Sequence, residues 1–179
     1  MDRGIPQELA MLARGLPPVE LWNPAHCGAI DIRIARDGTW FHEGSPVGRK
    51  ELMRLFSTIL RKEPDGYYLV TPIERMKITV EDVPFVAVLL RVEGEGRDQK
   101  LVFTTNVGDE TVAGLENPIR VEINSQTQEP SPYVHVRRGL EAKIARPVFY
   151  QLADLAEWRR DGMLGVWSGG VFFPLGSAG

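Results

Sequence analysis

With 179 residues, 43% of them hydrophobic, the chain can bury a full core, so neither a disulfide framework nor a metal staple is called for. Its net charge of -3 is spread over interleaved acids and bases with no Lys/Arg block, which excludes the electrostatic footprint of a general nucleic-acid binder. Cys27 is the single cysteine, no run approaches the ~18 apolar residues of a membrane span, and no basic start leads into an apolar leader; a cytoplasmic protein with no membrane partner is expected.

Residues 6–14 read as a short helix, with Pro6 in its first turn, Leu9, Leu12 and Ala13 on one face, and Gly15 closing it. Leu16-Pro17-Pro18 stiffens the next segment, so residues 1–21 are expected to form a helical arm and linker. Ile30, Ile32 and Ile34 alternate with Asp31 and Arg33, the period of a half-buried strand. Arg36-Asp37-Gly38 then turns the chain into Thr39-Trp40-Phe41. Ser45 suits an N-cap and Pro46 a first helical position, and Leu52, Leu55, Phe56, Ile59 and Leu60 form one apolar stripe that must end before Pro64. Past Asp65-Gly66, residues 67–70 form one hairpin arm; in the next arm Met76, Ile78 and Val80 face inward and Arg75, Lys77 and Thr79 outward. Residues 85–90 read as a strand buried on both faces, and further strands are expected over 85–93, 100–107, 118–124, 133–138 and 140–144. A second helix runs from Pro147 to about Arg159 and leads to a hairpin at Ser168-Gly169-Gly170.

The order of these elements repeats. Ile32-Arg33-Ile34, Gly38, Pro46-Val47, Leu52, Leu55 and Asp65-Gly66 return as Val134-His135-Val136, Gly139, Pro147-Val148, Leu152, Leu155 and Asp161-Gly162. The pattern predicts an α+β fold of duplicated strand–helix–hairpin units with largely antiparallel sheets. An N-terminal repeat domain is expected over 22–82 and a C-terminal domain containing the second repeat over 83–179, with a ligand at the seam between them.

Gly44-Ser45-Pro46-Val47-Gly48-Arg49-Lys50 combines a helix start with two cations, an arrangement that favours an anion; its ordinary reading is an N-capped helix with solvated charges. Arg75 and Lys77 share a strand face, with Arg120 and Arg137 on outward faces of theirs, and such guanidinia can read a phosphate or be paired to Glu74, Glu81 and Glu122. Trp40 and Trp167 are placed to stack a base or to pack a core. His26-Cys27, His42 and His135 lack metal-ligand spacing, the nucleophile-elbow and dinucleotide signatures fail, and no nucleophile–base pair is visible, so neither a metal, a cofactor nor a reaction follows from the residues.

Trp22-Asn23-Pro24, Cys27-Gly28, Asp37-Gly38, Trp40, Leu69-Val70-Thr71-Pro72, Thr105-Asn106, Gly108-Asp109, Pro130-Ser131-Pro132-Tyr133 and Gly165-Val166-Trp167-Ser168 together resemble a bacterial family catalogued as domain of unknown function 1285. The resemblance implies a duplicated core with a pleckstrin-homology-like C-terminal domain, a ligand site at the domain seam for a nucleotide-like molecule, and a link to signal transduction; it carries no catalytic residues. The expected function is a small anionic or nucleotide-like ligand held by Trp40, Arg49, Arg75 and Lys77 from one repeat and Asn106, Arg137 and Trp167 from the other. The alternative is a protein-interaction adaptor whose partner binds that seam or the C-terminal sheet.

Overall fold

In the computed structural model, which describes residues 16–177, β-branched and aromatic residues draw half of the described residues into strands: fifteen strands accompany two short α-helices. The helix read over residues 6–14 lies outside the described residues. The chain divides into two compact units, the first ending at Asp82 and the second starting at Val83.

The N-terminal unit contains β1 (His26–Ile34), β2 (Trp40–His42), β3 (Ser45–Pro46), α1 (Lys50–Thr58), β4 (Leu60–Glu63), β5 (Gly66–Val70) and β6 (Glu74–Val80). They form one six-stranded sheet in the order β3-β2-β1-β6-β5-β4. Only β1 and β6 pair in parallel; the other neighbours are antiparallel. One sheet face carries Ile34, Trp40, Leu69 and Ile78, all buried, and the ring of Phe56 on α1 stacks on Trp40 at 6.3 Å. On the other face Tyr68 and Val70 are covered by Val19, with Trp22 and Ile59 packed beside them. Arg61 fastens this cover, donating from one nitrogen to the carbonyls of Val19 and Trp22 at 2.9 and 2.7 Å.

The C-terminal unit contains β7 (Phe85–Glu93), β8 (Lys100–Thr105), β9 (Glu110–Val112), β10 (Ile119–Ile123), β11 (Pro130–Arg137), β12 (Leu140–Ile144), α2 (Arg146–Leu155), β13 (Glu157–Trp158), β14 (Met163–Ser168) and β15 (Val171–Ser177). A mixed six-stranded sheet runs β10-β11-β12-β7-β8-β9, with β12 parallel to β7, and β13-β14-β15 form a separate antiparallel sheet. Phe85, Phe103, Leu101, Val134, Leu140, Ile144 and Leu152 are fully enclosed, each such side chain contributing about 1.5–3 kcal/mol.

The fold class expected from the sequence is therefore corrected: the protein is mostly β, with curled mixed sheets, and is not an α+β duplication of strand–helix–hairpin units. Each helix does run into antiparallel strands, but those after α1 complete the main sheet of their unit, whereas those after α2 build a sheet of their own. A pleckstrin-homology-like C-terminal half falls with that correction, because its main sheet contains the parallel β7–β12 pair and its last element is a strand.

The helices are shorter than expected for local reasons. Ser45-Pro46 is not a helix start but an edge strand, Pro46 lying opposite Phe41 where its missing N–H costs nothing. Leu60 to Glu63 pairs across the Pro64-Asp65 turn with β5 instead of extending α1. Leu52 is consequently only half-buried and Leu55 exposed, while Leu152 of α2 is fully buried. The strand expected to be buried on both faces is buried only at Phe85 and Ala87; the register shifts between Ala87 and Leu89 and turns Leu89 out, 62% exposed.

Candidate functional site

Of the seven residues singled out for ligand binding, four lie in the N-terminal unit. Trp40 is fully buried on the face covered by α1, so its ring is core. Arg49 is exposed at the N-cap of α1 with no capping side-chain bond. Arg75 and Lys77 sit on the opposite face, where alternation along β6 puts them. Both lie over the Tyr68 ring, at 4.6 and 5.8 Å. Neither is without a counter-ion: Arg75 pairs with Glu63 at 2.5 Å and approaches the Cys27 sulfur at 3.2 Å, and Lys77 lies 3.5 Å from Asp65. Glu63 also takes Arg61, so the cluster is a woven surface network more than an open anion receptor.

The Tyr68 hydroxyl donates to Asp65 at 2.7 Å, and that bond, with the Lys77 charge, holds the Asp65 carboxyl below its ordinary value of 3.8. The same bond pushes the Tyr68 phenol up. A carboxyl lowered by folding stabilises the native state above the unfolded-state pKa, and this contribution disappears as pH falls through the folded one. The stability gap between the protein and its Asp65→Asn variant is thus expected to be constant above about pH 5 and to narrow below about pH 4. Urea unfolding of both at pH 7 and pH 3 tests this; an unchanged gap would show that Asp65 gains nothing from its partners.

The other three residues lie in the C-terminal unit. Asn106 is stitched to β7, its amide donating to the Val86 carbonyl at 2.8 Å while its side-chain oxygen accepts the Val86 N–H at 3.0 Å. Arg137 is not on an outward face. Its side chain is 12% exposed, paired with Asp109 at 2.5 Å and laid over Phe85 at 5.1 Å, so both residues hold the β7–β8 end of the sheet together.

Trp167 alone of the seven lines a cleft of about 530 Å³, whose other walls are Arg97, Glu157, Trp158, Arg159, Arg160 and Asp161. The site is built from the bottom by Gly165. Its missing side chain lets the Phe172 ring lie against the β14 backbone. Phe172 meets Trp167 edge-on at 5.2 Å, Arg159 lies over Phe172 at 4.3 Å, and Arg97 lies over Trp167 at 4.8 Å. The Trp167 indole N–H donates to Glu157 at 2.8 Å. Arg159 is paired with Asp161, which holds that carboxyl below its ordinary range. Arg97 and Arg160 have no carboxylate partner among the described residues, so three guanidinia face two carboxylates and the cleft keeps an excess positive charge.

The sequence reading missed Arg97, Glu157, Arg159 and Arg160. Only Glu157 and Trp158 belong to a strand, and Arg159 to Asp161 turn the chain into β14, so no sequence period marks these residues as a group. The helix expected from Pro147 to about Arg159 ends at Leu155, which leaves Glu157 and Arg159 to the hairpin that walls the cleft.

Among the described residues no group of three or more His, Cys, Asp or Glu side chains could hold a metal, and no helix is long and apolar enough to cross a membrane. No curated protein matches the chain. The crystal structure of a DUF1285 family protein from Silicibacter pomeroyi DSS-3 is 55% identical, with 95% of each chain covered and a TM-score of 0.86. That of a DUF1285 family protein from Shewanella baltica OS155 is 24% identical over 69% of this chain and 90% of its own, with a TM-score of 0.53, a likeness of fold alone. The model of the domain of unknown function DUF1285, N-terminal domain, matches residues 17–83, and that of the protein of unknown function DUF1285, C-terminal domain, matches residues 84–175. Matched in both halves and across nearly its whole length, the chain belongs to the DUF1285 family.

Proposed function

We propose that this protein is a ligand-binding module whose cleft beside Trp167 takes a small anionic, nucleotide-like molecule, in a sensing role within signal transduction. The observation that carries the reading is the pair Arg97 and Arg160, both on the cleft and both without a carboxylate partner among the described residues. The Arg97 guanidinium, over the indole at 4.8 Å, still has N–H donors for a phosphate or carboxylate. The cleft volume lies in the range of small-molecule sites. A ligand that binds only the native state raises the melting temperature, so a thermal-shift screen against nucleotides and phosphorylated metabolites should yield hits. The double variant Arg97→Ala, Arg160→Ala should weaken any such hit at least tenfold, the equivalent of one charge-assisted hydrogen bond of about 1.5–3 kcal/mol. A blank screen, or a double variant that binds as well as the parent, defeats the proposal.

A protein-interaction adaptor is the second reading. Leu89 and Val112, 62% and 41% exposed, share one face of the β7-β8-β9 edge of the C-terminal sheet. It takes first place if the anion screen is blank.

A further inference from the structure

Glu157 is the feature of the cleft that a simple anion receptor does not need. Its carboxylate is aimed by the Trp167 indole N–H at 2.8 Å, and the indole is itself held by Phe172 and Arg97. Its second oxygen has no partner among the described residues, whereas Asp161 is taken up by Arg159 and by the Met163 N–H at 3.1 Å. A fixed carboxylate repels an anion entering beside it, unless the ligand also presents a hydrogen-bond donor to that oxygen. An ammonium is a poor donor here, because it would enter among Arg97, Arg159 and Arg160. A hydroxyl carries no such penalty, and its bond to a carboxylate is charge-assisted.

Resting on the ligand-binding reading above, we infer that the cleft takes a hydroxyl-bearing phosphate monoester, the phosphate on Arg97 and Arg160 and a sugar hydroxyl on Glu157. A ribonucleotide and a free sugar phosphate share this chemistry. Arginine forks suit a phosphate dianion, and a carboxylate on a ribose hydroxyl is a recurrent way of reading that sugar.

Calorimetric titration of the full chain with AMP, ribose 5-phosphate, 2′,3′-dideoxy-AMP and inorganic phosphate tests this. AMP, ribose 5-phosphate or both should bind at least about tenfold tighter than the dideoxy compound and phosphate, the size of one charge-assisted bond. Ribose 5-phosphate matching AMP identifies a sugar phosphate, and AMP alone binding tightly identifies a nucleotide. Glu157→Gln, with its melting temperature checked, should collapse the preference for hydroxyls and tighten inorganic phosphate, because the repelling charge is gone. Equal binding of AMP and its dideoxy analogue, or a preference that survives in Glu157→Gln, overturns the hydroxyl assignment and leaves the anion site standing. Binding of none of the four overturns both.

Discussion

Ser168→Ala is expected to cost about 2–4 kcal/mol, because it strips two buried backbone groups of a partner at once. The Ser168 hydroxyl is fully buried at the end of β14. It accepts the Leu101 N–H at 2.9 Å and donates to the Ala113 carbonyl at 2.7 Å, tying the three-stranded sheet to the start of β8 and the exit of β9. Neighbouring bonds reinforce the tie. Gln99 donates to the Trp167 carbonyl at 3.0 Å, and Gly169 and Gly170 donate to the carbonyls of Gln99 and Arg97 at 2.8 and 2.9 Å. The loss should therefore loosen the Arg97 segment from the cleft as well as lower the urea midpoint. A cost under ~1 kcal/mol by equilibrium unfolding would mean that the freed groups find new partners.

Much of the fold was legible wherever one face of an element is buried. The alternation of Met76, Ile78 and Val80 with Arg75, Lys77 and Thr79 placed β6 correctly, since a period of two has one solution once a face is packed. The Gly169-Gly170 turn followed from backbone freedom, both glycines having positive φ, as a two-residue hairpin turn requires. The turn expected at Asp65-Gly66 falls one residue earlier, at Pro64-Asp65, because Gly66 pairs with Glu63. What misled was a short apolar run with two explanations. Leu55, Phe56, Ile59 and Leu60 fit a helical stripe, yet Leu60 pairs with Leu69, a contact that the helical pattern does not announce. Helix and strand periods cannot be told apart over so few residues, and tertiary pairing decided. The apparent duplication grew from that same overcounting of helix.

The candidate site was less legible, for a physical reason. Charge and residue type mark a possible ligand contact, but pairing decides whether the charge is free. Arg137 and Arg75 look identical in sequence to Arg97 and Arg160, and Asp109 and Glu63, the carboxylates that occupy the first two, are 28 and 12 residues distant from them. Trp40 and Trp167 likewise differ only in what lies over them: α1 encloses the first, and the second stands at the wall of a cleft.

Gly165→Ala is expected to be strongly destabilising. A Cβ at that position would stand 2.3 Å from the Phe173 carbonyl oxygen and 2.6 and 2.8 Å from the Phe172 ring. The first contact is with backbone, so no rotamer change relieves it, and β14 must separate from β15 where their register already shifts between Leu164 and Gly165. Overpacking of this kind costs about 3 kcal/mol. Gly176 on β15 supplies the control, since a Cβ there meets nothing within 4 Å. Gly176→Ala should change stability by less than about 0.5 kcal/mol, as open surface positions do. The two variants also separate fold from function. In Gly165→Ala the Phe172 ring cannot keep its place beneath Arg159 and beside Trp167, so the indole emission should shift and anion binding should fall with stability. Gly176→Ala should leave both as they are. If Gly165→Ala melts with the parent and still binds, then the Phe172 ring is not what holds Trp167 and Arg159 at the cleft.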